Sequence, residues 1–250
     1  MVVGVIAQAR MGSSRLPGKV LMSLAGLPVV HHVLLRALAM RRPNIVCLAT
    51  SDLPIDTPLA EAAKALNVHV FRGPEADVLA RYLQAARDIE ADVILRITCD
   101  CPLIDPAVCD ALLAYRDRHK LEFASVNHTN GWPLGLDCEV FTRELLERCV
   151  ASATTAYERE HVTPWMYSHA RETAGAVAGP GEDAARHRWV LDYQEDYAYL
   201  SRLFEYLPKF PQIPGWREVD LIAKAHPEWG TLNAKWRQAH LPSQSAGELC

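Results

Sequence analysis

The chain has 250 residues, half of them hydrophobic, and a formal net charge of −4 at pH 7. This length suffices for a full hydrophobic core in one large domain, or in one domain with an appendage. The net negative charge, with basic residues spread along the chain, argues against a nucleic-acid binder that neutralises phosphates. No window approaches 18 uncharged apolar residues and no signal peptide precedes the first strand pattern, so neither a membrane span nor secretion is expected.

The seven cysteines form an odd set without the spacing of a disulfide-rich secreted domain. Cys47 and Cys138 lie in apolar runs, where a thiol usually behaves as a small hydrophobe. Cys99 and Cys101 could suggest a metal, but no second Cys or His pair completes a zinc tetrad at familiar spacing. The cysteine pattern therefore favours reduced thiols in the cytoplasm.

Strand and helix patterns alternate over the first two-thirds of the chain. Strands are predicted at 2–7, 45–49, 68–71, 93–97 and 122–126, and helices at 27–40, 58–66, 75–89 and 107–119. This alternation predicts the α/β class, with a doubly wound, mostly parallel sheet and right-handed crossovers. Ligands of such sheets bind beyond the carboxyl ends of the strands.

The pattern becomes less regular after Asn127. Strands are predicted at 137–141 and 187–191, and helices at 142–149, 154–167 (bent at Pro164) and 195–206. We expect one main domain over 1–206 with a small α/β insertion at about 128–180. Residues 207–250, rich in proline and tryptophan, predict a helical appendage and a frayed tail.

The first predicted strand ends in a loop that combines glycines, serines and cations. Glycines let backbone N–H groups approach a ligand, and serine hydroxyls add donors. Three cations around one loop suit a polyphosphate, although the spacing matches neither a Walker loop nor Gly-x-Gly-x-x-Gly. A solvated basic turn would explain any one of these residues, but it is a poor explanation for all of them together: Arg10, Gly12, Ser13, Ser14, Arg15, Gly18 and Lys19.

A second polar group follows the strand predicted at 93–97. Asp100 lies just past the end of this strand, so the topology brings it to the same edge of the sheet as the loop. Mg²⁺ prefers a few carboxylates and keeps several waters, which makes Asp100 a candidate ligand. The alternative for Asp100 is a carboxylate that caps a turn or helix. Asp105, directly before Pro106, is predicted to be such a helix cap.

The segment 7–19 resembles the opening motif of the cytidylyltransferases that make CMP-activated sugar acids. It is most similar to the SpsF branch, the homologues of CMP-KDO synthetase, and the resemblance continues in patches to about residue 200. It implies a Rossmann-like nucleotidyltransferase fold in a cytoplasmic homodimer, with the 128–180 insertion serving the acceptor or the dimer contact. It also implies a loop that wraps the triphosphate of CTP. The nucleotide-binding residues implied in this segment are Ala7, Gln8, Ala9, Arg10, Gly12, Ser13, Ser14, Arg15 and Lys19.

The resemblance also implies an Mg²⁺ site formed by two carboxylates. It maps the metal-binding aspartates of the family onto Asp100, within the family's Gly-Asp-x-Pro-Leu-Ile motif, and Asp192, within Asp-Thr-Pro-Glu-Asp-Leu. Cys99 replaces the usual glycine and could crowd the nucleotide, and Tyr193-Gln194 replaces the usual Thr-Pro after Asp192. Asp196 is predicted to be a solvated carboxylate in the first turn of a helix.

Other segments resemble the part of the family pocket that holds the base and the ribose. The residues implied there are Thr50, Arg72 and Gly73, and Thr98 is implied as a further nucleotide-binding residue. From the residues alone, Thr50 could equally be part of a surface turn, and Arg81 could form a salt bridge across its own helix.

On the acceptor side, Asp137 and Glu139 match the family's Pro-x-Gly-x-Asp-x-Glu pattern, and His161 lies in a segment that resembles a branch signature. The resemblance implies that these three residues contact an anionic acceptor. The residues alone leave open a polar strand face for Asp137 and Glu139, and a structural role for His161.

These observations predict a CTP-dependent cytidylyltransferase that joins CMP to a sugar acid or a related anionic acceptor and releases pyrophosphate. Arg10, Arg15 and Lys19 would stabilise charge on the triphosphate, and Mg²⁺ on Asp100 and Asp192 would bind the reacting centre. One alternative is a nucleotidyltransferase that uses another NTP or a phosphorylated acceptor. The other is a catalytically silent nucleotide-binding or scaffold protein, suggested by the two departures from the family motifs.

Overall fold

The structure is a computed structural model that describes residues 1–236 of the chain. Its strands are β1 (Val3–Gln8), β2 (Ser23–Leu24), β3 (Leu27–Pro28), β4 (Ile45–Ser51), β5 (His69–Gly73), β6 (Val93–Thr98), β7 (Phe123–Val126), β8 (Cys138–Thr142) and β9 (Ala174–Ala176). Its α-helices are α1 (Val29–Leu38), α2 (Thr57–Lys64), α3 (Val78–Asp88), α4 (Pro106–His119), α5 (Arg143–Ser152), α6 (Ala156–His161), α7 (Pro164–His169), α8 (Glu182–Ala185), α9 (Gln194–Tyr206) and α10 (Trp216–Ala225). Within these residues, none of the helices has the length and apolar character needed to cross a membrane.

Seven strands form one sheet in the order β5-β4-β1-β6-β8-β7-β9, and β2 pairs with β3 in a separate small hairpin. Strand β8 runs antiparallel to both neighbours, whereas the other pairings of the large sheet are parallel. The doubly wound, mostly parallel sheet predicted from the sequence is thus confirmed. The chain turns to one side of β1 to form β4 and to the other to form β6. The carboxyl ends of β1 and β6 therefore open the crevice in which such sheets bind ligands.

Helices cover both faces of the sheet. Along β1, Val5 and Ala7 belong to one hydrophobic cluster and Ile6 belongs to the other, as the two-residue period of a strand requires. Helices α1, α2, α4, α9 and α10 contribute to the first cluster, and α3, α5 and α7 contribute to the second. Burying each large apolar side chain contributes about 1.5–3 kcal/mol, so the sheet that carries the crevice is held rigidly from both sides.

Asp105 begins α4 and also anchors the C-terminal part of the described chain. Its Oδ1 atom accepts bonds from the backbone N–H groups of Ala107 and Val108, at 2.7 and 3.2 Å. Its Oδ2 atom accepts from the backbone N–H of Trp216 at 2.7 Å, which fixes the start of α10. The helix cap predicted for Asp105 is confirmed, and its second partner lies in the region predicted as an appendage.

Two local predictions are wrong. The segment predicted as one bent helix over 154–167 forms two helices, α6 and α7, which are separated at Val162 and Thr163. Val162 has a φ of 71°, a left-handed conformation that is strained for a β-branched residue, and the chain changes direction there. The segment predicted as a strand over 187–191 is extended but stays outside the sheet, with one isolated bridge between Leu134 and Arg188.

Gly135 allows this extended segment to lie close to the loop before β8. Its φ is 109°, and a Cβ atom at this position would lie 2.7 Å from the backbone carbonyl carbon of Trp189. A side chain therefore cannot be accommodated without moving the backbone. The close contact carries the 187–191 segment past the sheet towards the crevice.

The predicted insertion at 128–180 supplies β8 and β9 to the central sheet, and the predicted appendage contains α10. The division at residue 206 and the homodimer remain predictions. Residues 237–250 of the predicted appendage and tail lie outside the described residues.

Candidate active site

Lys19 joins the loop after β1 to two carboxylates at the crevice. Its Nζ atom donates to Asp100 Oδ2 at 2.8 Å, to Asp192 Oδ1 at 2.9 Å and to the carbonyl oxygen of Leu191 at 2.8 Å. The Lys19 side chain is only 9% exposed. Burial opposes its charged form, but Asp100 and Asp192 outweigh burial and raise the pKa of Lys19. The ammonium group is therefore fixed and charged at the bottom of the crevice.

Asp100 and Asp192 are distant in sequence but adjacent in space. Because both accept bonds from one ammonium nitrogen, their bonded oxygens are no further apart than the sum of those two bond lengths. Thr98 Oγ1 also donates to Asp100 Oδ1 at 2.6 Å. Burial alone would raise the pKa of Asp100, but Lys19 and the Thr98 hydroxyl lower it to about 2. Asp100 is thus a carboxylate at neutral pH.

The two carboxylates fit the preferences of a hard divalent cation. Within residues 1–236, no cluster of three or more His, Cys, Asp or Glu side chains is arranged to hold a metal ion. A cation at this point would therefore use Asp100 and Asp192 and take its other oxygen ligands from phosphate and water, which Mg²⁺ commonly does. Lys19 bonds to both carboxylates and so holds them side by side.

Asp192 is held in place by cations and by the residues that follow it. Arg15 Nη2 donates to Asp192 Oδ1 at 2.9 Å, and Arg188 Nη2 lies 3.5 Å from Asp192 Oδ2. Asp196 Oδ2 accepts from the backbone N–H groups of Asp192 and Tyr193, both at 3.0 Å. The turn after Asp192 is therefore fixed by a carboxylate of the helix that follows it.

The prediction that Asp196 is solvated is wrong. Asp196 is fully buried, and Arg188 donates to its two oxygens from Nε at 2.7 Å and from Nη2 at 2.9 Å. Asn233 Nδ2 donates to Asp196 Oδ1 at 3.1 Å, so residues of the predicted appendage support the same group. A bidentate pair of this kind fixes the orientation of both side chains. Through its bond with the backbone N–H of Asp192, Asp196 also fixes the position of Asp192.

The remainder of the loop presents its cations to solvent. The Arg15 side chain is 45% exposed, and Arg10, 39% exposed, donates to Glu160 Oε1 at 3.2 Å. The backbone N–H of Met11 donates to the buried Asp56 at 2.6 Å, which anchors the loop to the turn after β4. The glycine and serine residues of the loop, Gly12, Ser13 and Ser14, are exposed or half-buried.

The residues at the end of β1 that were assigned to the nucleotide have different surroundings. Ala7 and Ala9 are buried, and Ala7 belongs to the core, so only their backbone groups could meet a ligand. Gln8 Oε1 accepts a long bond from Arg96 Nη2, at 3.5 Å. The structure brings Arg15, Lys19, Thr98 and Asp100 together around Asp192, whereas Ala7 lies in the hydrophobic core.

The residues assigned to the base and ribose lie on β4 and β5. Thr50 is fully buried, so the alternative of a surface turn is wrong, and it pairs with Arg72 across the two strands. Arg72 donates from Nε to the Ser51 carbonyl at 3.0 Å and from Nη2 to the Leu53 carbonyl at 2.7 Å. These bonds hold the turn after β4. The contact of Arg72 with a nucleotide remains a prediction.

Gly73 ends β5 beside Arg81, which is fully buried. A Cβ atom on Gly73 would lie 3.2 Å from Arg81 Cγ, so the small residue admits the long side chain. Arg81 Nη1 donates to the Pro74 carbonyl at 2.6 Å and thereby fixes the loop before α3. The salt bridge across its own helix considered for Arg81 is absent from the described residues.

The residues assigned to the acceptor share one cavity of about 440 Å³ next to Asp100. Glu139 is buried on β8, and His161 is exposed at the end of α6. Burial raises the pKa of Asp137, and the backbone N–H groups of Gly135 and His128 oppose this increase. The residues around this cavity are Arg96, Ile97, Thr98, Val126, Asn127, Asp137, Cys138, Glu139, His161 and Tyr167.

The two departures from the family motifs are accommodated by packing. Cys99 is 1% exposed and lies in the hydrophobic core, so its side chain is kept out of the crevice. Burial raises the pKa of its thiol. The Tyr193 ring stacks on Trp236 with centroids 3.6 Å apart, and the Arg15 guanidinium lies 5.3 Å from the same ring. Tyr193 thus adds an aromatic contact with the C-terminal part of the described chain.

Three residues of the site were not identified from the sequence: Asp56, Arg188 and Glu160. Asp56 follows Pro54 in a turn, and no local pattern marks its contact with the loop after β1. Arg188 lies four residues before Asp192 and eight before Asp196. Such spacing predicts contact between side chains only within a helix, and the segment between Arg188 and Asp192 is not helical. Of the three, only Glu160 is next in sequence to a predicted site residue, because it directly precedes His161.

Comparisons with known proteins identify the family of this chain. Residues 4–212 match the cytidylyltransferase family. An uncharacterized protein of Methanocaldococcus jannaschii is 37% identical over 228 residues, which cover 85% of this chain and 92% of that protein. The spore coat polysaccharide biosynthesis protein SpsF of Bacillus subtilis is 30% identical over 224 residues, covering 87% of this chain and 92% of SpsF.

Solved structures show the same fold. A cytidylyltransferase from Leptospira borgpetersenii aligns with a TM-score of 0.86 at 29% identity, over 99% of this chain and 100% of its own. A CMP-2-keto-3-deoxy-manno-octonic acid synthetase in complex with CTP aligns with a TM-score of 0.61 at 19% identity, over 82% of this chain and 99% of its own. A Mycobacterium tuberculosis protein in complex with manganese aligns with a TM-score of 0.57 at 17% identity, over 82% of this chain and 99% of its own. With the family match over residues 4–212, these findings establish that the chain belongs to the cytidylyltransferase family and is a nucleotidyltransferase.

Proposed function

We propose that the protein transfers the cytidylyl group of CTP to a hydroxyl of a sugar acid or a related anionic acceptor, with release of pyrophosphate and with Mg²⁺ as cofactor. One observation carries the proposal: Lys19 brings Asp100 and Asp192 together at the carboxyl ends of β1 and β6. The exposed cations Arg10 and Arg15 lie on the same loop. Polyphosphate charge and a divalent cation are the ligands that such a set of groups would take.

The relatives support the same reading. SpsF is a spore coat polysaccharide biosynthesis protein. The structurally similar synthetase has CTP bound, and the M. tuberculosis protein has manganese bound. Because these two proteins are under 20% identical to this chain, they support the fold. That this protein also binds CTP and a divalent cation is part of the proposal.

The chain's own residues would act mainly by positioning, as in other phosphoryl transfers. Arg10, Arg15 and the backbone N–H groups of the loop would hold the triphosphate. Lys19, fixed by two carboxylates, would place a positive charge where negative charge develops on the α-phosphate. When bound by Asp100 and Asp192, Mg²⁺ would supply further charge neutralisation at the reacting centre.

The acceptor hydroxyl would approach from the cavity beside Thr98 and attack the α-phosphorus, and the bond to pyrophosphate would break. Thr98 connects the two halves of the site, because it lines this cavity and donates to Asp100 at 2.6 Å. A cytoplasmic homodimer, which the family resemblance implies, completes the proposal. Analytical ultracentrifugation would test the dimer.

Calorimetric titration with CTP, UTP, ATP and GTP in the presence of Mg²⁺ tests the nucleotide. We expect CTP to bind at least tenfold more tightly than the others. Arg15→Gln should weaken CTP binding, because one charge-assisted phosphate contact is worth about 1.5–3 kcal/mol. Arg87→Gln is a matched control, since Arg87 forms an exposed pair with Glu147 away from the crevice. Equal binding of all four nucleotides, or an equal effect of both variants, would contradict the proposal.

A further inference from the structure

The cavity beside Asp100 is a defined compartment of the proposed active site. Its wall is formed by residues of β6, β7 and β8 and by the α6–α7 region. Its volume of about 440 Å³ lies within the range of small-molecule sites. Because Thr98 belongs to the wall and bonds to Asp100, a molecule in this cavity would lie next to the proposed reacting centre.

The single guanidinium in this wall is already neutralised. Arg96 Nη1 donates to Glu139 Oε2 at 2.6 Å, and the two side chains are only 16% and 11% exposed. Thr163 Oγ1 donates to the other oxygen of Glu139 at 2.9 Å, which fixes the carboxylate in this pairing. An anionic ligand would therefore meet a guanidinium whose charge Glu139 already balances. Displacing Glu139 from this pair would leave a buried carboxylate without its partner.

Asp137 adds a second carboxylate to the same wall. Its two oxygens accept from the backbone N–H groups of Gly135 at 2.8 Å and His128 at 3.1 Å. These neutral donors orient the carboxylate and supply no formal positive charge. Among the described residues that line the cavity, the remaining titratable groups are Cys138, which is buried, His161, which is exposed, and Tyr167, whose pKa is raised by burial and by Glu139.

The balance of formal charges therefore disfavours an anion inside the cavity. A phosphate or carboxylate placed there would lose its hydration without gaining an unpaired cation, and it would face two carboxylates. Hydroxyl groups meet the opposite situation, since Asp137 and Glu139 accept hydrogen bonds and Asn127 both donates and accepts. Repulsion of this kind is a common means of selecting against a wrong substrate.

We infer that this cavity takes the uncharged, hydroxyl-bearing part of the acceptor and excludes a phosphate or a second carboxylate from it. The inference rests on the proposed function for the identity of the bound molecule as the acceptor. It places the single acid group of a sugar acid outside the cavity, towards the cations of the loop after β1. It therefore distinguishes sugar acids with a neutral polyol portion from phosphorylated acceptors and from diacids.

A matched pair of probes tests this inference. Gluconate and 6-phosphogluconate share one carboxylate and a polyol chain, and the second carries a phosphate at the far end. Saturation-transfer NMR should detect gluconate on the protein loaded with CTP and Mg²⁺ at concentrations at least tenfold lower than 6-phosphogluconate. Equal binding, preference for the phosphorylated probe, or binding of neither probe would overturn the inference.

Two variants extend the test to the wall itself. Glu139→Gln exposes the charge of Arg96, and Asp137→Asn removes the second carboxylate, so each should reduce the preference for gluconate at least threefold. Glu147→Gln, an exposed carboxylate on α5, should leave the preference unchanged. If either variant fails to fold in a thermal melt, the comparison of the two probes on the wild-type protein still decides.

The same experiment separates this inference from the proposed function. Failure of the wild-type protein to bind CTP would contradict the proposed function, and the preference between the probes would then be measured on the protein without nucleotide. Binding of CTP together with preference for 6-phosphogluconate would retain the nucleotide site and overturn only the inference about the cavity.

Discussion

Replacing Lys19 with methionine should destabilise the protein even when no nucleotide is present. The Lys19 ammonium is the cation that holds Asp100, whose carboxylate is 24% exposed, next to Asp192, which is 4% exposed. Removing one partner of a buried ion pair typically costs about 3–5 kcal/mol, because the other charge remains buried without compensation. Asp192 keeps its contacts with Arg15 and Arg188, so most of the cost arises at Asp100.

We therefore expect the free energy of unfolding to fall by about 3 kcal/mol, the lower end of that range. For a chain of this size, this corresponds to a melting temperature lower by about 6–12 °C. Urea denaturation measures the free energy, and Lys64→Met is the matched control, because Lys64 and Glu61 form an exposed pair. Such an exposed pair contributes at most about 1 kcal/mol.

A second substitution identifies the source of the loss. Asp100→Asn removes the uncompensated charge, so the double variant with Lys19→Met should be more stable than the sum of the two single effects predicts. Millimolar Mg²⁺ should also raise the melting temperature of Lys19→Met more than that of the wild type, because two carboxylates are then left without their ammonium. A loss below about 1 kcal/mol, or strictly additive effects, would refute the reasoning.

Three further predictions concern the surroundings of this cluster. Asp196→Asn should lower the free energy of unfolding by about 3–5 kcal/mol in urea, because the buried Arg188 would lose its bidentate carboxylate and keep the longer contact with Asp192; a loss below about 1 kcal/mol would contradict this. Glu160→Gln releases Arg10 from a half-exposed pair worth about 0.2–1 kcal/mol, so calorimetry should show CTP affinity rising up to about fivefold, and a fall would count against it. Cys99→Gly should lower stability by about 1–2 kcal/mol in a thermal melt without improving CTP binding, whereas tighter binding would restore the hypothesis that Cys99 crowds the nucleotide.

The parts of the fold that were predictable are those that local patterns determine. The apolar runs of β1 and β6 are buried on both faces, and each leads directly into a polar loop, so both strands and both loops were located from the sequence. The Asp105 cap could also be predicted from local sequence, because an aspartate directly before a proline at the first helical position indicates a helix start. Parallel pairing then brings the two loops to one edge of the sheet.

The parts that could not be predicted depend on contacts between distant residues. The 187–191 segment has the composition of a strand, yet it lies against the Gly135 turn and stays outside the sheet. Asp196 has the position of a solvated helix residue, and its burial follows from Arg188 and Asn233, which approach it from outside the helix. Val162 breaks the predicted helix in a conformation that its β-branched side chain disfavours, so no local propensity could have indicated it.

The charges around Asp192 lead to a final prediction about the metal. Lys19, Arg15 and Arg188 face the carboxylates of Asp100, Asp192 and Asp196, so the cations of this cluster are already matched by equal negative charge. A triphosphate adds several negative charges, and Arg10 is itself paired with Glu160.

CTP should therefore bind well only when a divalent cation accompanies it. We expect removal of divalent cations with EDTA to weaken CTP binding at least tenfold in calorimetry, and Mg²⁺ to restore it. Asp100→Asn should reduce this dependence on Mg²⁺, because it removes a proposed ligand and also one of the repelling charges. CTP affinity that is unchanged by EDTA in the wild-type protein would contradict both the charge argument and the assignment of Asp100 and Asp192 as the metal ligands.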